Sequence, residues 1–517
     1  MPKPNPRRLV FGLRGVSAIL LVTLVTACTG SGGEPDPVAS SDVSAEPARV
    51  GEPMELEVLA YNVEYSGNET TDAVMRELDA DIVGVLESYN RLPEIARETG
   101  YPYFNLGLQL LSKYPIHEPS GADGLYALIE VQPGYAVAFF NTHLDYVKYG
   151  PKLYLQGMPL DEVIESEVEV RTASMQILIP DMERFASEDV PLFLTGDFNT
   201  PSHEDYTAAT VGTRKGIDRP IVWPTTKALT DAGLYDTFRA VHTDPVAVPG
   251  ITKDDPDFRS GGFGDRIDYV FAGGPVTTTD SELIGEEGGP DVGRGFDPWT
   301  SDHRAVLSTV QIAPVAMPTT LSLTRRLLTE GETLTAYTNA PGHDEVEISV
   351  LPEGGAASDA VLTTGAGSGD EVTFETTDLA PGGYEVVMSG TDGEEIARNA
   401  FWVRSVEDDI VLSTDKDVYA PGEPIVVSWD DGPGNRWDWV SIYERSASDP
   451  KVDDYLVWGY TGGHESGALP PAVFGEMTFD QDSQGRPWPL PPGEYRIHYL
   501  LTDRYRSAGS IDVTVTD

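Results

Sequence analysis

Residues 192–199 read Leu192-Phe193-Leu194-Thr195-Gly196-Asp197-Phe198-Asn199, an apolar run that ends on a polar cluster. The stretch 136–141 does the same and runs on into Thr142-His143-Leu144-Asp145. Outward from these two, Leu56-Glu57-Val58-Leu59-Ala60-Tyr61 alternates toward a strand, and 81–86 reads as a buried strand. Between them 71–78 has a helical pattern, with Thr70, Thr71 or Asp72 as candidate caps. The stretch 171–185 reads as a helix whose Met175, Leu178, Ile179 and Met182 share a face. From Glu55 to about Ile312 the chain is therefore expected to be an α/β or α+β unit with polar clusters at its strand ends.

Five such clusters occur in order: Tyr61-Asn62-Val63, Leu86-Glu87-Ser88, Asn141 to Asp145, Gly196 to Asn199, and Ser301-Asp302-His303. A sixth, Asp265-Arg266-Ile267-Asp268-Tyr269, precedes the last. Each alone is weak, because a lone histidine or a Gly-Asp turn is common. As an ordered set they resemble the endonuclease/exonuclease/phosphatase superfamily, over about residues 55–312. The segment Leu111-Ser112-Lys113-Tyr114-Pro115-Ile116 is similar to that family's serine-arginine-tyrosine-proline segment, with Lys113 in place of the arginine. Arg171 and Gln176 stand where the family carries a helical arginine and glutamine. The interval from Glu87 to Ser112 is short for the family, which puts in doubt a nucleic-acid groove or a lipid-inserting hairpin.

The resemblance implies a four-layer α/β/β/α sandwich over 54–313 and metal-dependent phosphoester hydrolysis. That chemistry must position a water, neutralise charge on equatorial oxygens and support the leaving oxygen. A hard divalent ion takes carboxylate and amide oxygens, so Glu87 is the candidate direct ligand, with Asn62 and Asp302 completing or orienting the shell. Bare histidine–cysteine metal chemistry is absent, so Mg²⁺ or Mn²⁺ is the expected cofactor. By resemblance Asp197 orients or deprotonates the attacking water, and Asn199 bonds the phosphate or the ion. His143 and His303 donate to phosphate oxygens from opposite sides. Donation requires protonation, hence a carboxylate partner. Asp268 is the expected partner of His303, with Asp265 as the alternative.

Charge narrows the substrate. Acidic residues outnumber basic ones 84 to 35, a formal charge of −49. A surface this negative repels a polyphosphate backbone at long range, which disfavours a general nucleic-acid packaging role and, more loosely, a nuclease, but leaves room for a small local basic pocket. Lys113, Arg171, Arg259 and Arg266 are the few basic residues near the motifs, and no cluster marks a multi-phosphate pocket. Phosphodiesters are favoured over monoesters on that ground.

The N-terminus carries Lys3, Arg7, Arg8 and Arg14, then an apolar stretch from Val16 to Ala27, too short to span a bilayer. It ends Val25-Thr26-Ala27-Cys28, which resembles a bacterial lipobox, and Cys28 is the single cysteine of the chain. The expectation is a lipoprotein signal peptide over 1–27, lipidation at Cys28, and a flexible Gly/Ser/Pro/acid-rich tether over 28–53. The protein would then sit on the outer face of a bacterial membrane.

After Pro314 the texture becomes short strands with Gly- and Pro-rich turns, and a repeat is visible. Leu321-Ser322 and Gly331-Glu332 recur as Leu412-Ser413 and Gly422-Glu423. Leu379-Ala380-Pro381-Gly382-Gly383-Tyr384 recurs as Leu490-Pro491-Pro492-Gly493-Glu494-Tyr495. Two Ig-like β-sandwiches are expected, over 316–405 and 406–517. Trp437, Trp439, Tyr443, Tyr455, Trp458 and Tyr460 crowd the second; core packing is the plainer reading of them, and a platform for a glycan or lipid the functional one.

The leading expectation is thus a membrane-anchored, metal-dependent phosphoester hydrolase acting on a small molecule, a lipid headgroup or a cell-envelope polymer. Alternatives are a secreted nuclease, a sphingomyelinase-like lipid hydrolase, and a catalytically silent surface-binding or adhesion protein. No obligate protein partner is evident.

Overall fold

The structure is a computed structural model that describes residues 50–516, except 123, 255–263, 405–409, 431, 433–437, 448–449, 451–454, 462–472, 482, 486 and 502–504. The expected signal peptide, Cys28 and most of the 28–53 tether lie outside the described residues, as do Arg259 and Trp437. Among the described residues no helix is long and apolar enough to cross a membrane.

Two sheets organise the first part of the chain. One runs Val292–Phe296, Val276–Glu286, Ala305–Ile312, Met54–Asn62, Ile82–Leu86, Leu110–Ser112, Tyr103–Asn105. The other runs Ile116–His117, Ala127–Gln132, Tyr135–His143, Leu192–Asp197, Asp268–Gly273, Tyr235–Asp236. Period-two alternation sends Leu56, Val58 and Ala60 of the first sheet and Val137, Phe139, Phe193, Val270 and Ala272 of the second into one shared core. The opposite face of the first sheet packs on the helices Glu69–Leu78 and Leu92–Thr99 through Val74, Met75, Leu92 and Ile95. That of the second packs on Met175, Leu178, Ile179 and Met182.

Register brings the polar clusters to one end. Asn62 pairs with Leu86 in a parallel ladder, so Asn62 and Glu87 leave the first sheet side by side. His143 pairs with Asp197 in parallel, and Asp197 pairs with Asp268 in an antiparallel ladder. Beneath them Gly84 lets the two sheets approach: a Cβ there would lie 1.9 Å from Thr195 Oγ1 and 2.6 Å from Asn141 Oδ1. Asn141 staples the sheets, donating through Nδ2 to the carbonyls of Leu108 (2.9 Å) and Val85 (3.2 Å).

Several local expectations change. The first helix is capped by Asn68, not by Thr70, Thr71 or Asp72. Its side chain accepts the N–H groups of Thr70 and Thr71, and the Thr71 hydroxyl accepts the Asn68 N–H, a closed capping box. The stretch after residue 170 enters its helix through a π-turn, Val168–Thr172, which holds Arg171, and the α-helix is Ala173–Ser187. The strand Val315–Ala316 pairs with Ala136 and Tyr135, so the second sheet extends past residue 313.

Beyond it lies a β-rich region. Sheets of three and five strands enclose one core, built on Leu321, Leu334, Ile348, Val386 and Phe401. Sheets of three and six strands enclose another, built on Ile425, Val440, Ile442, Ile497 and Tyr499. The sequence repeat is a structural repeat. Leu327–Thr329 pairs in parallel with the last strand of its half, and Val418–Tyr419 does so in the other. Tyr384 donates to the Ala380 carbonyl (2.8 Å) as Tyr495 does to that of Pro491 (2.6 Å). Glu118 joins the first part to this region, paired with Arg326 (2.7 Å) and accepted at its N–H by Ser322 Oγ (2.9 Å).

Candidate active site

Asp197 is the centre. It ends a strand buried on both faces, and Gly196 before it is required because a Cβ would sit 2.2 Å from the Thr142 carbonyl oxygen of the neighbouring strand. Its Oδ1 accepts the Asn199 N–H (2.9 Å). Its Oδ2 accepts Asn62 Nδ2 at 3.1 Å and lies 3.5 Å from His143 Nε2 and 3.6 Å from His303 Nε2. Burial, then the charge of Asp268, pushes its carboxyl above the ordinary range, against the pull of the two histidines.

His303 Nδ1 lies 2.9 Å from Asp268 Oδ2. Burial works against its charge, but Asp268 and Asp197 override it and push its pKa up to about 9. Asp268 itself is seated by the Thr252 hydroxyl, which accepts its N–H (3.1 Å). Asp265, the alternative partner, is held elsewhere: it accepts the hydroxyls of Tyr149 (2.7 Å) and Tyr206 (2.9 Å). On the other flank Asn199 donates through Nδ2 to the Leu144 carbonyl (2.9 Å), with His143 Nε2 at 3.1 Å. Asn199 and Glu87 both have left-handed backbone, φ 48 and 59, as do Glu64, Tyr65 and Ser66 beside them. Strained backbone of this kind concentrates at functional sites.

Glu87 accepts Asn62 Nδ2 (3.1 Å) and the Tyr65 N–H (2.9 Å). Asn62 thus braces Glu87 and Asp197 together through its amino group, while its oxygen accepts the Glu64 N–H (3.0 Å). Asp302 ion-pairs with Lys253, its other oxygen 3.7 Å from His303 Nε2, and its N–H donates to Glu64 Oε2 (3.1 Å). Glu64 and Lys253 are site residues that the motifs did not include. Glu64 lies two residues past Asn62, and Lys253 is brought in by pairing with Asp265 and by an isolated bridge to His303. Burial, then the charges of Asp302 and Glu87, raises the Glu64 carboxyl.

The basic residues expected near the motifs are engaged elsewhere. Lys113 reaches Asp79 and Asp81, at the start of the strand that Glu87 follows and so at the opposite end of the sheet. Arg171 is buried against Glu167 (2.8 Å) and the Val147 carbonyl (2.7 Å). Arg266 is buried against Asp205 and Asp236. Gln176 is exposed on its helix.

Two donor sets fit a divalent cation. The mouth of the site holds the carboxylates of Glu64, Glu87 and Asp302 beside Asn62, an acid-rich group whose mutual repulsion a cation relieves. Deeper, one atom each of Asp197, Asp268 and His303 lie within 4.8 Å of one another, and Asp268 Oδ1 is buried without a hydrogen-bond partner among the described residues. This inner trio differs from the Glu87/Asn62/Asp302 set expected from sequence, and its histidine already serves Asp268.

Residues 59–303 match the model of the Endonuclease/Exonuclease/phosphatase family. An uncharacterized protein of Caenorhabditis elegans is 37% identical over 172 residues, 30% of this chain and 53% of that protein, so this chain spans about half of that relative. The crystal structure of an endonuclease/exonuclease/phosphatase from Beutenbergia cavernae aligns at 18% identity and TM-score 0.31, covering 67% of this chain and 99% of that one. An AP endonuclease from Archaeoglobus fulgidus aligns at 15% identity and TM-score 0.32, covering 49% and 98%. Residues 59–303 carry an endonuclease/exonuclease/phosphatase-family domain, and a β-rich C-terminal region follows it.

Proposed function

We propose that this protein is a divalent-metal-dependent phosphoester hydrolase, with phosphodiesters as its preferred substrates, acting by in-line attack of water. The observation that carries the reading is the convergence of Asn62, His143 and His303 on one buried carboxylate, Asp197. Such a carboxylate orients a water and accepts its proton. His303, held protonated by Asp268, and His143 donate to the phosphate oxygens as negative charge develops there. Asn199 braces His143 and faces the phosphate. Glu87 and Asp302 would hold a Mg²⁺ or Mn²⁺ ion, with Asn62 orienting Glu87, and the ion supplies Lewis-acid stabilisation of the phosphoryl group. With Lys113, Arg171 and Arg266 turned to other partners, a diester with one charge suits the site better than a multi-phosphate ligand or a nucleic-acid strand.

In this reading the two sheets and their flanking helices form a four-layer α/β/β/α sandwich over 54–313. Residues 316–405 and 406–517 form two Ig-like sandwiches, a reading supported by the two tyrosine-to-carbonyl bonds. We propose further that 1–27 is a signal peptide, that Cys28 carries lipid, that 28–53 is a tether, and that the enzyme works on the outer face of a bacterial membrane.

The test is hydrolysis of bis(p-nitrophenyl) phosphate, p-nitrophenyl phosphate, DNA, RNA and a choline phospholipid by the purified chain, with Mg²⁺, Mn²⁺ or EDTA. The expected result is metal-dependent cleavage, fastest on a diester, that Asp197→Ala and His303→Ala each slow by about 10²–10³. Cleavage of nothing, or variants as active as the parent, overturns the reading.

A further inference from the structure

A cleft of about 1020 Å³ opens beside the catalytic cluster, and His143 lines both. One wall comes from the chain after His143, including Tyr146, Lys148 and Glu169. The opposite wall comes from the last β-module, where Trp458, Tyr460 and Glu476 face it. On sequence, core packing is the plainer reading of the aromatic residues of that module, and strand pairing shows which face each one takes. Trp439 lies opposite Tyr460, Ser441 opposite Trp458 and Tyr443 opposite Tyr455, so these side chains share one face of the sheet. The intervening Val440, Ile442 and Val457 fill the module's core. The aromatic set forms a separate cluster on the other face, in which Trp439 and Tyr443 are buried while Tyr455, Trp458 and Tyr460 remain partly open. Trp458 is fixed edge-on by Trp439 (6.1 Å, 86°) and Tyr460 (5.3 Å, 86°). Trp458 thus presents a partly open, edge-packed indole to the cleft.

The charge of the lining selects the ligand. Among the described residues, Asp145, Glu169, Glu476 and Asp480 line it against Lys148, which ion-pairs with Glu169 (3.3 Å), and against His143 at the catalytic end. Carboxylates only accept hydrogen bonds, so this cleft repels a second phosphate and receives hydroxyl donors. Its volume is at the upper end for small-molecule sites and holds several rings rather than one headgroup.

We propose that the cleft is a glycan subsite continuous with the catalytic cluster. The scissile phosphoester carries a neutral oligosaccharide that stacks on Trp458 and donates hydroxyl hydrogens to the carboxylates. The last β-module thereby sets substrate choice for the domain that holds the catalytic residues. The substrate assignment rests on the hydrolase reading, whereas the binding assignment does not.

Two measurements on the full chain separate them. Tryptophan fluorescence and calorimetry follow titration with cellotetraose, maltotetraose, chitotetraose, phosphocholine and an oligothymidylate. At least one tetrasaccharide is expected to bind with a fluorescence change, at millimolar affinity or tighter, while phosphocholine and the oligothymidylate do not. Trp458→Ala weakens that binding about tenfold or more, and Trp458→Phe, which keeps a ring in place, retains most of it. In parallel, the parent is assayed on bis(p-nitrophenyl) phosphate, and an unchanged urea midpoint of Trp458→Ala shows that the variant folds. No tetrasaccharide binding, binding indifferent to Trp458→Ala, or preferential binding of phosphocholine or the oligothymidylate overturns the glycan subsite. An inert parent on the bare diester overturns the hydrolase reading alone, since the titrations stand without turnover.

Discussion

At the residue scale the choice between Asp265 and Asp268 shows how a small offset in sequence becomes a large one in space. Asp268 opens a strand in register with Asp197, so its carboxylate meets His303 beside the catalytic centre. Asp265, three positions earlier, faces Tyr149 and Tyr206 instead. Asp268→Asn is expected to lower kcat about 10²-fold or more with a small change in KM, because it withdraws the charge that keeps His303 protonated. Steady-state kinetics on bis(p-nitrophenyl) phosphate checks this, and Asp265→Asn is expected to affect thermal stability more than kcat. The acids and histidines of the candidate site were legible because they stand in short polar clusters at the ends of apolar runs. Glu64 and Lys253 were not, since nothing in the local pattern distinguishes them from solvated charges. Only the fold turns Glu64 toward Asp302 and bridges Lys253 to His303.

At the level of elements, close approach of backbones governs the site. Gly84 sits at a close approach of the two sheets, with Thr195 and Asn141 of the second sheet against it. Gly84→Ala is expected to cost about 1–3 kcal/mol through overpacking, read as a lower urea midpoint. The helix Glu69–Leu78 depends on Asn68, and Asn68→Ala is expected to cost about 1 kcal/mol by removing the acceptor for two N–H groups. Urea unfolding with an unchanged slope would identify that as a loss of folded-state stability. Strand positions were legible from alternation in 56–61 and from an unbroken apolar run in 192–194. Helix ends were less so, because several of Asn68, Thr70, Thr71 and Asp72 suit a cap and only the backbone direction selects one.

For the whole molecule, a buried charge network ties the loops around the site to the sheets. Asp205 receives Arg239 (2.6 Å) and Arg266 (3.0 Å), and Arg266 also meets Asp236. Burial disfavours the Asp205 charge, but Arg266 and Arg239 override it and hold its carboxyl below the ordinary value. A depressed carboxylate contributes stability that is present above its unfolded pKa, near 3.8, and is lost as pH falls through its folded value. Asp205→Asn is therefore expected to destabilise by about 3–5 kcal/mol at neutral pH, by leaving buried guanidinium groups undercompensated. Urea unfolding at pH 7 and at pH 3 checks the sign: the difference from the parent shrinks at the lower pH. The sequence by itself determined the order and type of the polar residues ending its strands, and with them the family that residues 59–303 match. It also determined the repeat in the second half, since alternation and turn residues are local. Tertiary structure alone decided which acid pairs with His303, that Arg171 and Arg266 are buried in ion pairs, and that Trp458 and Tyr460 of the last module line a cleft with His143. Those outcomes depend on register and side-chain direction between segments far apart in the chain, and local pattern carries no information about either.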